Sequence, residues 1–420
     1  MPLFAIIAFA LILARAVTEL WLSRLNDRHV GAHTNEMPPA FRGMIDEATY
    51  RRSVDYTLAK SRFGDVVTLF NTALLIGILF SGVLPWAFEK VAAAFGTSVW
   101  AMAGFLFATG FALSIVSLPF AWYAQFRIEQ RFGFNTTTTK TWVLDRVKGF
   151  LLALLLGYPL LALVLKLIEW TGTNWWIWAA AVAIAFQLLL LFIAPAVIMP
   201  LFNKFSPLPG GALRERLFAL AQRTEFPTRS IDVMDGSKRS RHSNAFFTGF
   251  GRFRKIVLFD TLIAQLTEPE LESVVAHEIG HYKKRHVAKL LSLSMACVFI
   301  AFAAIAWLAR QEWFYRAFGF EHQAGFAAAN VVPAMLLFAL LAGTISFWLS
   351  PLIHMWSRHF EYEADAFARA TTGEAQPLIQ ALRKLSEKNL SNLTPHPLYS
   401  GFYYSHPTLL ERERALRIAA

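Results

Sequence analysis

The stretch VVAHEIGHYKKRHVAKLLSLSMACVFIAFAAIAWLA, residues 274–309, decides both the fold class and the chemistry. It opens with the pattern His277-Glu278-x-x-His281, and from residue 288 it becomes an apolar run long enough to cross a bilayer. Upstream, Thr267-Glu268-Pro269-Glu270 reads as a helix start. Thr caps it, Pro occupies the first turn, and Glu270 closes a capping box. Leu271, Val274 and Val275 continue at helical spacing, so the motif sits inside a capped helix. Residues four apart share a helix face, so His277 and His281 can hold one zinc ion from the same side. Glu278 lies one step round, where it can take a proton from an attacking water. The bare pattern also arises by chance in long chains, so its weight comes from this context.

The chain has 420 residues, 55% hydrophobic and only 16% charged, with a mean hydropathy of +0.42. A soluble domain carries about 25% charged residues. The shortfall lies in apolar runs at about 3–22, 66–87, 98–122, 149–168, 175–200, 288–309 and 330–356, which read as seven transmembrane helices. The first run has no Lys or Arg ahead of its apolar part, which favours a retained span over a cleaved signal peptide. Pro119 marks a kink site in the third. Most of the 40 Lys and Arg lie in 23–65, 123–148, 201–287 and 357–420, the segments after spans one, three, five and seven. Alternation puts these on one side, which the positive-inside rule makes cytosolic. The net charge of +11 therefore reads as topology, and no nucleic-acid partner is expected.

Cys297, the only cysteine, excludes an internal disulfide and a thiolate-rich zinc site, so a metal must rely on His, Asp and Glu. A hydrolytic zinc needs three protein ligands and one water. Two spans separate His281 from the tail and return it to the same side. There Phe360-Glu361-Tyr362-Glu363-Ala364-Asp365 follows span seven. Glu361 is the expected third ligand, and Asp365, four residues on, can orient a ligating imidazole through its free N–H. His354 shares the face of Glu361 and is the rival third ligand. Glu363 faces another direction, and His286 and His359 point away from the ligating faces on an ideal helix. His406 can donate to a developing oxyanion, although a lone histidine before proline also suits a surface loop.

Four segments follow: 1–200 with spans one to five, 201–287 as a cytosolic catalytic block, 288–356 with spans six and seven, and a helical tail at 357–420 that completes the site. Within the block, 211–224 has a helical pattern, 230–234 and 254–260 read as short strands, and Ser243–Gly249 reads as an edge strand. No repeat of 20–50 residues is evident.

In the order they occur, Arg131-Phe-Gly-Phe-Asn135, Pro200-Leu-Phe-Asn-Lys-Phe, Asn244-Ala245-Phe246, Ile256-Val-Leu-Phe-Asp-Thr-Leu262, His277–His281, the Glu361–Asp365 run and Ser405-His406-Pro407 resemble the type I CAAX prenyl endopeptidases, integral-membrane zinc metalloproteases of the gluzincin type. The resemblance covers nearly the whole chain. It implies a mainly α fold: a seven-transmembrane-helix barrel enclosing a chamber, with a thermolysin-like zinc metalloprotease block carrying a small β-sheet. It also implies one zinc ion per chain on His277, His281 and Glu361, Glu278 as base and His406 assisting the transition state. Asn244, Ala245 and Phe246 would bind the substrate backbone along the edge strand, as in strand addition. The implied partners are the lipid bilayer and a peptide or protein substrate, prenylated or hydrophobic, cleaved near its C-terminus. Compact outward loops and a tail lacking a Lys-Asp-Glu-Leu signal suggest a multi-pass protein of the bacterial plasma (inner) membrane with its site facing the cytoplasm.

Two other functions fit parts of the sequence. A quality-control metalloprotease would cleave membrane proteins without needing a lipid on the substrate. A transporter with a structural metal would use buried groups such as Arg15 and Glu19, but it leaves Glu278 without a purpose.

Overall fold

In hydrocarbon every backbone N–H and C=O must be satisfied within the segment, so apolar runs of this length cross as helices. The computed structural model describes residues 2–34, 37–43, 45–249, 254–323 and 325–418. It begins with α1 (Leu3–Ala32), α2 (Glu47–Phe80), α3 (Val83–Phe95) and α4 (Val99–Tyr123). A π-helical turn, Ala124–Glu129, prolongs α4 beyond Pro119. The run expected at 66–87 is not one helix. Ser81 ends α2, and Gly82, at a φ of +78°, starts α3 in a new direction; that left-handed turn suits glycine.

Next come α5 (Thr139–Leu152), α6 (Tyr158–Thr171), α7 (Trp175–Ile193) and α8 (Met199–Phe202), within one 64-residue apolar run. As a single straight helix that run would reach about 96 Å, some three times the hydrocarbon thickness. It turns at Gly172–Asn174 instead, packs α6 on α7, and supplies two spans.

The chain then builds a four-stranded sheet from β1 (Phe205–Pro207), β2 (Thr228–Met234), β3 (Ala245–Thr248) and β4 (Arg254–Phe259), in the order β1-β2-β4-β3. β2 and β4 run parallel, while β3 pairs antiparallel with β4 so that Phe246 faces Val257. β3 is therefore an edge strand, as its sequence suggests. β1 was not expected. Pro207 cannot donate to a ladder, and the strand survives because it is short and at the other edge. α9 (Ala212–Arg223) lies between β1 and β2. α10 (Asp260–Gln265) and α11 (Glu268–Lys283) follow β4.

The last two spans are α12 (His286–Leu308) and α14 (Ala328–Thr372), separated by α13 (Glu312–Arg316). Phe314 and Tyr315 of α13 are fully buried, and the rings of Phe4, Phe314 and Phe318 meet edge-on, closing one end of the barrel. α14 has 45 residues, about 67 Å, twice the bilayer core, so its second half projects beyond the membrane. It passes residue 356 without a break. α15 (Gln376–Lys388), α16 (Pro397–Tyr403) and α17 (Leu409–Ile418) complete the tail.

Two cores result. One fills the closed end of the membrane barrel around Met102, Leu165, Ile168, Trp175, Phe314 and Leu337. The other joins the sheet to the tail through Leu220, Ile256, Leu258, Val275, Leu378 and Leu416. Elsewhere the barrel wall is one helix thick. None of the most apolar window of the 139–202 run, and only 6% of that of α2, is buried in protein, so each wall helix has one face for lipid and one for a hollow. A cavity of about 870 Å³ lies against α1 and α2, lined by Glu19, Asn26, Lys60 and Asp65, and reaches His406.

Candidate active site

α11 is held where its sequence places it. Thr267 and Glu270 form the capping box, with the Thr267 N–H donating to Glu270 Oε2 at 2.8 Å. Lys384 of α15 ties the same carboxylate to the tail at 2.8 Å. Leu271, Val275 and Ile279 face the core, which turns His277 and His281 toward α14. The two helices meet at Gly280. A Cβ there would lie 3.0 Å from the Cα of Ala364, so glycine allows an approach that any other residue would have to open by a few tenths of an ångström.

At this crossing His277, His281 and Glu361 converge. Their ligand atoms all lie within 4.8 Å of one another, and they form the only such cluster of His, Cys, Asp and Glu among the described residues. The two Nε2 atoms are 3.1 Å apart, His281 Nε2 is 3.2 Å from Glu361 Oε1, and His277 Nε2 is 3.4 Å from Glu361 Oε2. Ligands about 2.0–2.1 Å from a tetrahedral zinc are separated by roughly 3.3 Å. The donor set therefore fits zinc without rearrangement. Glu361 Oε2 is buried and makes no hydrogen bond, with Arg412 Nη1 3.4 Å away as an ion pair; a metal ion would supply the missing bond. With both histidines neutral, as metal ligands must be, Glu278, Glu361 and Asp365 against Arg412 leave a formal charge of −2, the complement of a divalent ion.

Asp365 accepts from His277 Nδ1–H at 2.8 Å, which leaves the Nε2 lone pair facing the cluster. Arg412 of α17 holds Asp365 with two hydrogen bonds, one of 2.8 Å from Nε, and its Nη1 stands 3.4 Å from Glu361. Burial alone would lower the His277 imidazole, but Asp365 and Glu361 outweigh it and push it up to about 9. Metal uptake must displace that proton, so it is coupled to pH. Burial raises Glu278 above the usual carboxylate range, with Glu361 adding to it against the two histidines.

His406, between α16 and α17, places Nε2 3.4 Å from Glu361 Oε1 and faces the cavity. Its Nδ1 lies 3.0 Å from Ser405 Oγ. When Ser405 donates, Nε2 carries the proton and points at the cluster. Desolvation at the cavity wall is the first cause of a lowered His406 pKa, although the side chain remains 65% exposed.

Asn244 precedes the edge strand. Its side-chain Oδ1 accepts from the Ala245 N–H at 2.9 Å, and its carbonyl accepts from Phe259 N–H at 3.1 Å. Ala245 is buried and Phe246 half-buried on β3, which packs beside α11. The rival ligand His354 lies outside the cluster, with Nδ1 2.7 Å from the carbonyl of Phe402. His359 reaches only Glu363, at 3.7 Å. Arg412 was missed by sequence reasoning. Its one signal is its position six residues after His406 on a tail helix, since burial of an arginine is invisible in sequence.

A helix crossing with this donor set, carried at the mouth of a hollow membrane barrel, defines a membrane metalloendopeptidase. Comparison with known proteins leads to the same class. Residues 26–204 match the family described as "CAAX prenyl protease N-terminal, five membrane helices", and residues 207–420 match "Peptidase family M48". The chain belongs to peptidase family M48. It is similar to CAAX prenyl protease 1 of Saccharomyces cerevisiae, at 36% identity over 91% of this chain and 88% of the yeast protein. The CAAX prenyl protease 1 homolog of Homo sapiens is 31% identical, over 95% of this chain and 92% of the human protein. The crystal structure of S. mikatae Ste24p superposes with a TM-score of 0.89 at 34% identity, covering 99% of this chain and 100% of that one.

Proposed function

We propose that this protein is a zinc endopeptidase that cleaves prenylated or strongly hydrophobic peptides near their C-terminus, at the cytoplasmic face of a bacterial inner membrane. The observation that carries the zinc reading is the 3.1–3.4 Å triangle of His277, His281 and Glu361 around a carboxylate oxygen that makes no hydrogen bond. These three residues hold the metal, and Asp365 with Arg412 fixes the tautomer of His277. When bound, zinc lowers the pKa of a coordinated water to about 7 and polarises the scissile carbonyl.

Glu278 accepts the proton of the attacking water and returns it to the leaving amine. Burial raises its pKa, the direction that strengthens a carboxylate as a general base. His406 donates its Nε2–H to the oxyanion. The substrate lies extended along β3, where Asn244, Ala245 and Phe246 present main-chain groups that bind a peptide without regard to its sequence. The names of the similar proteins support a CAAX-type substrate. Basic segments after the odd-numbered spans support the cytoplasmic orientation. Short outward connections support a bacterial member.

The test is the purified protein with a farnesylated CAAX peptide and its unprenylated twin, with zinc content measured in parallel. A strong preference for the farnesylated peptide supports the lipid-reading chamber. Equal rates shift the reading to general membrane-protein degradation. Activity that survives removal of all zinc overturns the metal assignment.

A further inference from the structure

On an ideal helix His286 points away from the site, yet it is 1% exposed and lies directly behind His281. The cause is a turn. Arg285 adopts the left-handed conformation at a φ of +58°, ending α11 and starting α12 back against it. Such a conformation is costly for a residue with a Cβ, and it delivers His286 to this position. His286 Nδ1 stands 3.0 Å from His281 Nδ1, and its Nε2 stands 2.8 Å from Glu363 Oε2. Phe360 stacks on the ring, with centroids 4.1 Å apart and planes 10° from parallel, so the imidazole cannot turn freely. On its outer side Glu363 faces Lys289 at 3.9 Å and His359 at 3.7 Å.

These contacts allow one proton arrangement in which both short contacts are hydrogen bonds and His281 keeps a free Nε2. The Glu363 carboxylate only accepts, so His286 Nε2 carries a proton and donates to it. Neutral His286 then has a bare Nδ1, which accepts from His281 Nδ1–H. His281 Nε2 is left with its lone pair directed at His277 and Glu361. We propose that His286 and Glu363 are positioning residues for the metal site: a histidine–carboxylate relay that fixes the tautomer and ring orientation of His281. Asp365 does the same for His277 directly. One stretch of α14 thus supplies a ligand, Glu361, and the anchors of both histidine ligands, Glu363 and Asp365. The assignment rests on His277, His281 and Glu361 being the zinc ligands.

Zinc dissociation constants of the full chain in detergent, measured by competition with a chelator, test it. Each is read beside the melting temperature of the zinc-free protein. Outer partners of metal-bound histidines typically contribute about 10–100-fold in affinity. His286→Ala should weaken zinc binding by that order, and Glu363→Leu, which removes the acceptor, by about 10-fold. In His286→Asn the side-chain oxygen takes the place of Nδ1 and accepts from His281, so most of the affinity should return. A purely structural role would not distinguish Asn from Ala in this way. The relay is overturned if His286→Ala binds zinc within about twofold of the parent, or if His286→Asn is as weak as Ala with an unchanged melting temperature. Should His286→Ala not fold, Glu363→Leu decides alone, with affinity within about twofold of the parent as the overturning result. His281→Ala is the control for the underlying reading. If it retains zinc at parental affinity, the ligand assignment itself fails, whatever the relay variants do.

Discussion

Gly280→Ala should cost activity out of proportion to stability. A Cβ at this position would lie 3.0 Å from the Cα and 3.1 Å from the carbonyl oxygen of Ala364, and 3.2 Å from the Cβ of Phe367. Ordinary contact begins at 3.4 Å, so the helices must separate by about 0.4 Å. The atoms that have to move are backbone, in the turn of α14 between Glu361 and Asp365. Misplacement of catalytic groups by about 1 Å costs roughly 100-fold, so about 0.4 Å corresponds to roughly sixfold in kcat/KM. Stability is more nearly balanced. Overpacking costs about 1–3 kcal/mol, while alanine in place of glycine inside a helix contributes about 1 kcal/mol. The assay is kcat/KM on a peptide substrate beside the melting temperature of the zinc-loaded protein. Parental kcat/KM with a raised melting temperature would mean that the helices are not in contact at Gly280.

Glu278→Gln should retain zinc and fold while losing about 10²–10⁴ in turnover, the usual share of a general base; a residual rate above a few per cent, with zinc content unchanged, contradicts that role. His406→Ala should lower kcat by about 10²-fold or more and leave KM nearly unchanged, as for an oxyanion donor; a change confined to KM would make it a binding residue. Glu270→Gln should destabilise the protein by about 1 kcal/mol at pH 7 through loss of the carboxylate's charge-assisted bond to Lys384, since glutamine can still close the capping box. Burial alone would raise the Glu270 carboxyl, but Lys384 and Thr267 hold it below its ordinary 4.5. Its contribution is therefore fully present above about pH 4.5 and is lost as pH falls through the lower folded value. The gap in melting temperature between parent and variant should narrow below that pH; a gap independent of pH argues that the carboxylate charge is not involved.

What sequence reveals here is whatever repeats at a local period. Spans, the capped helix at 267–283 and the pairing of Glu361 with Asp365 all follow from helical spacing and apolar length. The junction at Ser81–Gly82 escaped because membrane helices tolerate glycine, and only its left-handed φ makes Gly82 a break. β1 escaped because three residues containing a proline carry no strand pattern of their own. Arg412 and His286 escaped for a different reason. Each acts on the site across a gap in sequence that only the tertiary fold closes: Arg412 from a tail helix, His286 from beyond a left-handed turn that ideal helical geometry does not allow for.

The 45-residue α14 also makes the metal site answerable to the bilayer. Glu361 lies 33 residues from the start of the helix at Ala328, about 50 Å away. Were α14 to tilt as a rigid rod, a rotation of one degree about its far end would shift Glu361 by about 0.9 Å. Membranes of different thickness change helix tilt, while α11 and the end of α14 share one core through Leu271, Val275, Ile279 and Ala368. Lipid thickness should therefore tune zinc affinity and turnover together. A series of bilayers with different acyl-chain lengths would measure this, and parallel, flat responses of both quantities would show that the crossing at Gly280 holds firm against the tilt.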